Sequence, residues 1–233
     1  MQNEGMLANP LLQRYLNYSN GRLTLPGLDH LNQQAAALRI VTGGGLPLRF
    51  ALPDHDNDYE LRAYHSGVVD TRLNNWHDAF NALVWLNFPL TKCVLNACHI
   101  SARQGRPSDQ NGRGKVRDTL TQFDECGVVV AGTSLVLWES LSAHEWIDVF
   151  VTQRAELLAT TRFVIFGHGS LDALRAPFVG LCGKALFIKT DAAGLAAIDA
   201  GDLSQTDSAL ARRVFSTNSQ GNIALPLQPM PLL

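Results

Sequence analysis

Little in this sequence is charged, sulfur-bearing or diagnostic. Four cysteines, Cys93, Cys98, Cys126 and Cys182, are spread over 233 residues, and no two form C-x-x-C. Their spacing argues against a zinc knuckle or a thioredoxin-type pair. The expectation is small buried hydrophobes in a reducing compartment, with the cytoplasm as default location. No apolar run approaches the ~18 residues of a membrane span, so no membrane association is expected. The start, "MQNEGMLANPLLQRYLNYSN", lacks a basic segment followed by an apolar one, so no secretory signal is expected. The formal net charge is only −2, which gives no global pull toward nucleic acid or an anionic surface. Several catalytic signatures are missing too. There is no G-x-S-x-G elbow, no H-E-x-x-H, no Walker A spacing and no usable G-x-G-x-x-G. An α/β-hydrolase elbow is thereby excluded.

What is present is apolar. Hydrophobic residues make up 46% and charged residues 17%, enough for a sizeable core and too apolar for a disordered chain. The pattern predicts a helix-rich α+β single domain with a small hairpin or sheet. Three parts are expected: an N-terminal helical segment over 1–44, a core over 45–190, and a C-terminal helix with a proline-rich tail over 191–233. "LDHLNQQAAAL" at 28–38 has helical spacing, and "GGGLPLRFAL" turns into a short extended run. In "YELRAYHSGVVDT", Tyr59, Leu61 and Ala63 alternate with polar residues, which predicts a hairpin. A helix follows from about residue 75, and Pro89 starts a second one reaching about Ile100. Residues 101–117 read as a loop, and "DTLTQFDECG" as a short helix stopped by Gly127. "VVVAG" and "KALFIKTD" read as strands; "RFVIFGHG" is a buried strand or a short apolar helix, its β-branched and aromatic content favouring the strand. Ser142 and Glu145 form a capping box, predicting a helix to about Leu158. Ser204 is expected to cap a last helix reaching about Phe215, and the tail "ALPLQPMPLL" to dock on the body or on a partner.

Polar residues in apolar surroundings supply the candidate sites. In "NNWHDAFNALVWLNFP", His77 and Asn81 share a helix face, and Asp78 neighbours Asn81. Asn75 as N-cap would place Asp78 where a carboxylate reaches back to free backbone N–H groups. His77 then has either an ordinary first-turn role or that of a general base or metal ligand. Lys92, Asn96 and His99 form one ridge on the next helix, read as a solvated face with a ligand role for His99 as the alternative. The 101–117 segment holds Arg103, Arg106, Arg113, Lys115 and Arg117 against Asp109 alone, and could bind a small anionic ligand such as a phosphate. Asp118 reads as a helix cap. Asp124 and Glu125 meet the negative end of their helix, so an arginine such as Arg72 or Arg117, a lysine or a metal should compensate them. His168, between glycines in "FGHGS", is a catalytic or ligand candidate, or a core histidine bonded to a carbonyl.

Taken in order, "YELRAYHSG", "NNWHDAFNALVWLNFPLTKCVLNACH", "GRGKVRDTLTQFDECGVVVAG", "RAELLATTRFVIFGHG" and "PFVGLCGKAL" resemble an uncharacterised bacterial family of domain-of-unknown-function proteins. The resemblance covers roughly residues 45 to 190. It implies a cytosolic protein and supplies no mechanism. Relatives are expected to continue into a segment with glycine and tryptophan, and to be more charged where this chain has "SLDALRAPF". The resemblance singles out Trp76, His77, Asp78, Asn81, Asp118, Asp124, Glu125, Gly167 and His168.

Three functions compete. In the first, a hydrolase-like site, His77, Asp78, Asp124 and His168 are catalytic, and Arg72, Asn81, Lys92 and Arg117 hold a small anionic substrate. Neither the metal nor any other cofactor is specified. The second is a metal-dependent nuclease of ββα type, disfavoured because the net charge gives no attraction to nucleic acid. The third is a non-catalytic binding or structural protein with a buried polar network. If the first holds, His77, Asp78, Asp124 and His168 must meet at one cleft.

Overall fold

Every residue of "GVVVAG", 127–132, is buried, and the fold is built outward from it. The structure, a computed structural model, describes residues 11, 12, 15, 25–54, 58–104, 114–219 and 224–232. In chain order come α1 (Leu28–Ala37), β1 (Arg49–Ala51), α2 (Tyr59–Ser66), β2 (Val68–Asp70), α3 (Trp76–Asn87), α4 (Pro89–Gln104) and α5 (Lys115–Cys126). These are followed by β3 (Gly127–Gly132), α6 (Leu135–Ser142), a π-helical turn (Asp148–Thr152), α7 (Arg154–Thr160), β4 (Thr161–Ile165) and α8 (His168–Ala173). The chain closes with β5 (Cys182–Lys189), α9 (Ala192–Asp199), α10 (Ser204–Ser219) and β6 (Gln228–Pro231). This is a helix-rich α+β domain with two small sheets.

The larger sheet has the order β4-β3-β5-β6, with β3 antiparallel to β4 and parallel to β5. Val128 pairs with Ile165, so the start of β3 lies beside the end of β4. Side chains just before β3 and just after β4 therefore emerge at one end of the sheet. The N–H groups of Phe166 and Gly167 both donate to the Gly127 carbonyl, at 2.9 and 2.8 Å, and lock that junction. Phe166 stacks on Phe123 at a ring separation of 4.8 Å and meets Phe88 edge-on at 5.2 Å. All three rings are fully buried and join β4, α5 and the α3–α4 corner.

α3 is capped by the Asn75 side chain, which accepts from the Asp78 N–H at 3.0 Å. It stops at Phe88, whose backbone leaves the helical region because Pro89 follows. α4 then begins at Pro89. Its free Leu90 and Thr91 N–H groups are capped across the fold by the Asp207 carboxylate of α10, at 2.9 and 2.8 Å.

Several expectations need correction. "YELRAYHS" is a helix and not half of a hairpin. Asp58 caps it by accepting from the Glu60 and Leu61 N–H groups, and Gly67 ends it in the left-handed region. α2 is instead the crossover between the parallel strands β1 and β2. The ββα nuclease reading loses its hairpin with it. Ser142 is no cap, since it is the last residue of α6, which Ser134 caps. The expected helix to about Leu158 is present in part: the chain is helical from Trp146 through the π-helical turn and, after a break at Gln153, through α7. α4 runs on to Gln104, and α5 begins at Lys115, before Asp118. Arg106, Asp109 and Arg113 lie outside the described residues. α10 reaches Ser219, and the tail docks on the body as β6, antiparallel to β5. Its prolines lie on a sheet edge, where the missing N–H is tolerated. All four cysteines are free, but only Cys98 is buried and Cys182 is exposed, against the expectation for the set. Among the described residues no helix is long and apolar enough to cross a membrane.

Candidate functional site

Three helix ends meet where β3 begins and β4 finishes. α3 brings His77 in its first turn, α5 brings Asp124 and Glu125 in its last turn, and α8 opens with His168. The rings of His77 and His168 lie edge to face, 4.5 Å apart. Glu125 stands between them, its carboxylate 3.5 Å from His168 Nε2 and 3.9 Å from His77 Nε2. One ligand atom from each of the three lies within 4.8 Å of the others. On the far side of His168, Nδ1 faces Asp124 Oδ2 at 3.9 Å and has no hydrogen-bond partner, although it is buried.

The two glycines around His168 explain this close approach. A Cβ on Gly167 would lie 2.4 Å from the Gly127 nitrogen, and one on Gly169 would lie 2.7 Å from Glu125 Oε2. The glycines serve contact between α8 and the end of α5, rather than flexible flanks for the histidine.

Behind the histidines runs a largely buried polar chain. Lys92 is 3% exposed, and its Nζ donates to Asp124 Oδ1 at 2.6 Å and to Asn81 Oδ1 at 2.9 Å. Asn81 Nδ2 donates to the Tyr59 hydroxyl at 2.8 Å. The Lys92 ammonium also lies 5.3 Å from the centre of the Trp85 ring. Burial acts against both charges of the Lys92–Asp124 pair, but their mutual attraction outweighs it. Asp124 is held below its usual range and Lys92 above, so both stay ionised. Burial pushes Tyr59 up to about 12, so it keeps its proton. The adjacent His168 imidazole lowers Glu125, against a smaller opposing effect of burial.

These groups border a cavity of about 520 Å³. His77, Asp78, Asn81, Asp124, His168, Arg72 and Arg117 all line it, so seven of the eight candidates meet at one cleft. Lys92 does not line it and lies beneath the wall. Lys92, Asn96 and His99 are all buried, so that ridge is no solvated face. Asp78 is occupied elsewhere. Its carboxylate accepts from the Arg72 backbone N–H at 2.7 Å and from the guanidinium at 2.8 Å on each oxygen. Burial raises the Asp78 pKa, but these bonds more than reverse it, and the group stays ionised. Asp78 thus pins the segment ahead of α3. The expected arginine compensation falls on Asp78, while Asp124 takes the lysine.

α5 forms one wall, with Arg117, Thr121, Asp124 and Glu125 on a single helical face. The Arg117 Nε is buried and has no hydrogen-bond partner among the described residues. Asp118, in the first turn of α5, does not line the cavity. Several lining residues lay outside the expected site, among them Glu125, Tyr59 and Glu60. Tyr59 and Glu60 were hidden by the hairpin assignment, and His99, with a ligand role only as the alternative, was read first as part of a solvated face. Glu60 accepts from Asn96 Nδ2 at 2.6 Å and lies 3.8 Å from His99 Nε2. Asp58 as a helix cap, with Gly67 eight residues beyond Tyr59, was the signal that would have exposed them.

Fold and site together define a helix-rich α+β domain with a histidine- and carboxylate-lined cavity at one end of a four-stranded sheet. The chain belongs to the family described as "Protein of unknown function (DUF3025)", whose model matches residues 48–233. No curated protein and no solved structure matches it.

Proposed function

We propose that the cavity is a hydrolytic active site for a small anionic substrate. The observation that carries this is the meeting of His77, Glu125 and His168, from three separate helices, within 4.8 Å on the cavity wall. Two nitrogens and a carboxylate aimed at one point suit the activation of a water molecule. That water adds its oxygen to an electrophilic carbon or phosphorus. One of its protons leaves for the cluster and is returned to the departing group as the old bond breaks. Asp124 orients His168 from behind, and Lys92 and Asn81 hold Asp124 in place. Tyr59, still protonated at neutral pH, supplies a hydrogen bond to an oxygen that gains charge. Arg117, with a buried Nε that has no partner among the described residues, is the better anchor for the anionic group; Arg72 is engaged by Asp78.

A second reading, a non-catalytic protein with a buried polar network, has one observation in its favour. The chain Tyr59–Asn81–Lys92–Asp124 is satisfied within itself. One experiment separates the two. The chain is screened with chromogenic phosphate esters and carboxylate-bearing esters, beside His168→Ala and Glu125→Gln. Hydrolysis by the wild type, lost in both variants with little change in melting temperature, supports the hydrolase. No turnover of any substrate, together with a large loss of stability in both variants, favours the structural network.

A further inference from the structure

We infer that His77, Glu125 and His168 are the protein ligands of a divalent transition-metal ion, with Asp124 behind His168 and the remaining coordination position open to the cavity. As an account of water activation this rests on the hydrolytic reading; as a binding site it stands alone.

Distances come first. Glu125 lies 3.5 Å from His168 Nε2, at the outer limit of a hydrogen bond, and 3.9 Å from His77 Nε2, beyond one. Ligands around a tetrahedral ion at about 2.1 Å are themselves separated by roughly 3.4 Å. The three groups are therefore close to the spacing of atoms that share one ion. Small side-chain rotations close the remainder.

The support behind the ligands is also of the required kind. A metal-bound imidazole normally directs its second nitrogen at a carboxylate or carbonyl, which fixes its orientation and raises its basicity. His168 comes close to this arrangement: Nε2 faces Glu125, and Nδ1 points toward Asp124 Oδ2 at 3.9 Å, longer than a hydrogen bond. That Nδ1 is buried and without a hydrogen-bond partner, which needs a reason in a well-packed site. Lys92 engages the other Asp124 oxygen at 2.6 Å, which keeps Asp124 behind His168 and out of the ligand set. The backbone contacts of Gly167 and Gly169 fix where α8 begins, and so where His168 starts.

The donor set selects the class of ion. Two imidazoles and one carboxylate suit zinc, cobalt, iron(II) or manganese, whereas magnesium and calcium favour all-oxygen sites. Three protein ligands beside an open cavity are the pattern of a catalytic site and not of a closed structural one. A water in the open position becomes a nucleophile near neutral pH, because the ion lowers its pKa to roughly 7.

The test uses the full chain, stripped with a chelator and titrated with zinc and with cobalt(II) by calorimetry and visible absorption. The expected result is one ion per chain, with a cobalt spectrum free of thiolate charge transfer, since no cysteine belongs to the ligand set. His77→Ala and Glu125→Gln change half-exposed side chains and are expected to fold, checked by circular dichroism. Each should weaken binding more than Asp124→Asn, whose place behind a ligand predicts a loss of roughly tenfold to a hundredfold. A folded wild type that binds neither ion, or folded His77→Ala and Glu125→Gln variants that bind as tightly as wild type, overturns the site. Hydrolysis undiminished by the chelator overturns the metal while leaving the hydrolytic reading intact. One bound ion with no turnover of any substrate establishes the site and overturns the hydrolytic reading.

Discussion

Replacing Lys92 with methionine removes an ammonium that is only 3% exposed. Its two acceptors, Asp124 Oδ1 and Asn81 Oδ1, then lose their donor. An uncompensated buried carboxylate costs about 3–5 kcal/mol. The cost has a ceiling, because the folded protein can take up a proton instead. From an ordinary carboxyl value of 3.8, protonation at pH 7 costs about 4 kcal/mol. The orphaned Asn81 oxygen adds about 1–3 kcal/mol, partly offset by the packing of the methionine stem. The expected loss is about 4 kcal/mol, or roughly 8–16 °C in melting temperature for a chain of this size.

The pH dependence is more diagnostic than the magnitude. In wild type, Asp124 is depressed in the folded state. Its contribution is present above the unfolded value of 3.8 and lost as pH falls through the lower folded value, so between about pH 5 and 7 it is flat. In Lys92→Met the folded state carries a proton on Asp124 that the unfolded state lacks in this range. Stability then rises on acidification, by up to about 1.4 kcal/mol per pH unit. Urea denaturation of both metal-free proteins at about pH 5, 6 and 7 measures this. A variant within about 1 kcal/mol of wild type at pH 7, with the same pH slope, refutes the claim that this ion pair is desolvated by burial.

The other two predictions concern the junction and acid stability. Gly167→Ala forces a Cβ to 2.4 Å from the Gly127 nitrogen, so a loss of about 1–3 kcal/mol or more is expected in thermal melts, with weaker cobalt binding because His168 is displaced. Asp78, Asp124 and Glu125 are all held below their ordinary values of 3.8, 3.8 and 4.5. Their contributions persist above those values and are lost below them, so wild-type stability should drop steeply under about pH 4 in an acid titration followed by circular dichroism.

Much of the fold was legible because it rests on local chemistry. Asn75 as a cap, Pro89 as a helix start and "VVVAG" as a buried strand each follow from a few adjacent residues. "YELRAYHS" was misread because eight residues carry too little periodicity to separate period 2 from period 3.6. Asp58 and Gly67, its two ends, held the deciding information. Ser142 fails as a cap because Ser134 has already capped a helix that ends there; His144 then adopts a positive φ of 62°, and the expected helix begins only at Trp146. In the site, the chemical types of His77, Asp124 and His168 were legible and their partners were not. Lys92 looks like a surface residue until Asp124, thirty-two positions on, is brought to it. That meeting depends on how α4 packs against α5, which no single segment encodes; the β3–β4 register governs a different pair. His168 and Glu125 lie more than forty residues apart in the chain, and that register brings them together.

The stack of Phe88, Phe123 and Phe166 has a bearing on how this site can change. Each ring stands at a short, fixed offset from a polar partner: Phe123 directly precedes Asp124, Phe166 comes two residues before His168, and Phe88 one helical turn before Lys92. The rings act as a common origin, and the site is written as small displacements from it. Substituting a polar partner alters the chemistry and leaves the origin where it was. Inserting or deleting one residue within any of these short intervals does the reverse, since the rings stay packed and one member of the site swings away. Variation of this pocket is therefore open to exchange of side chains and closed to changes in spacing.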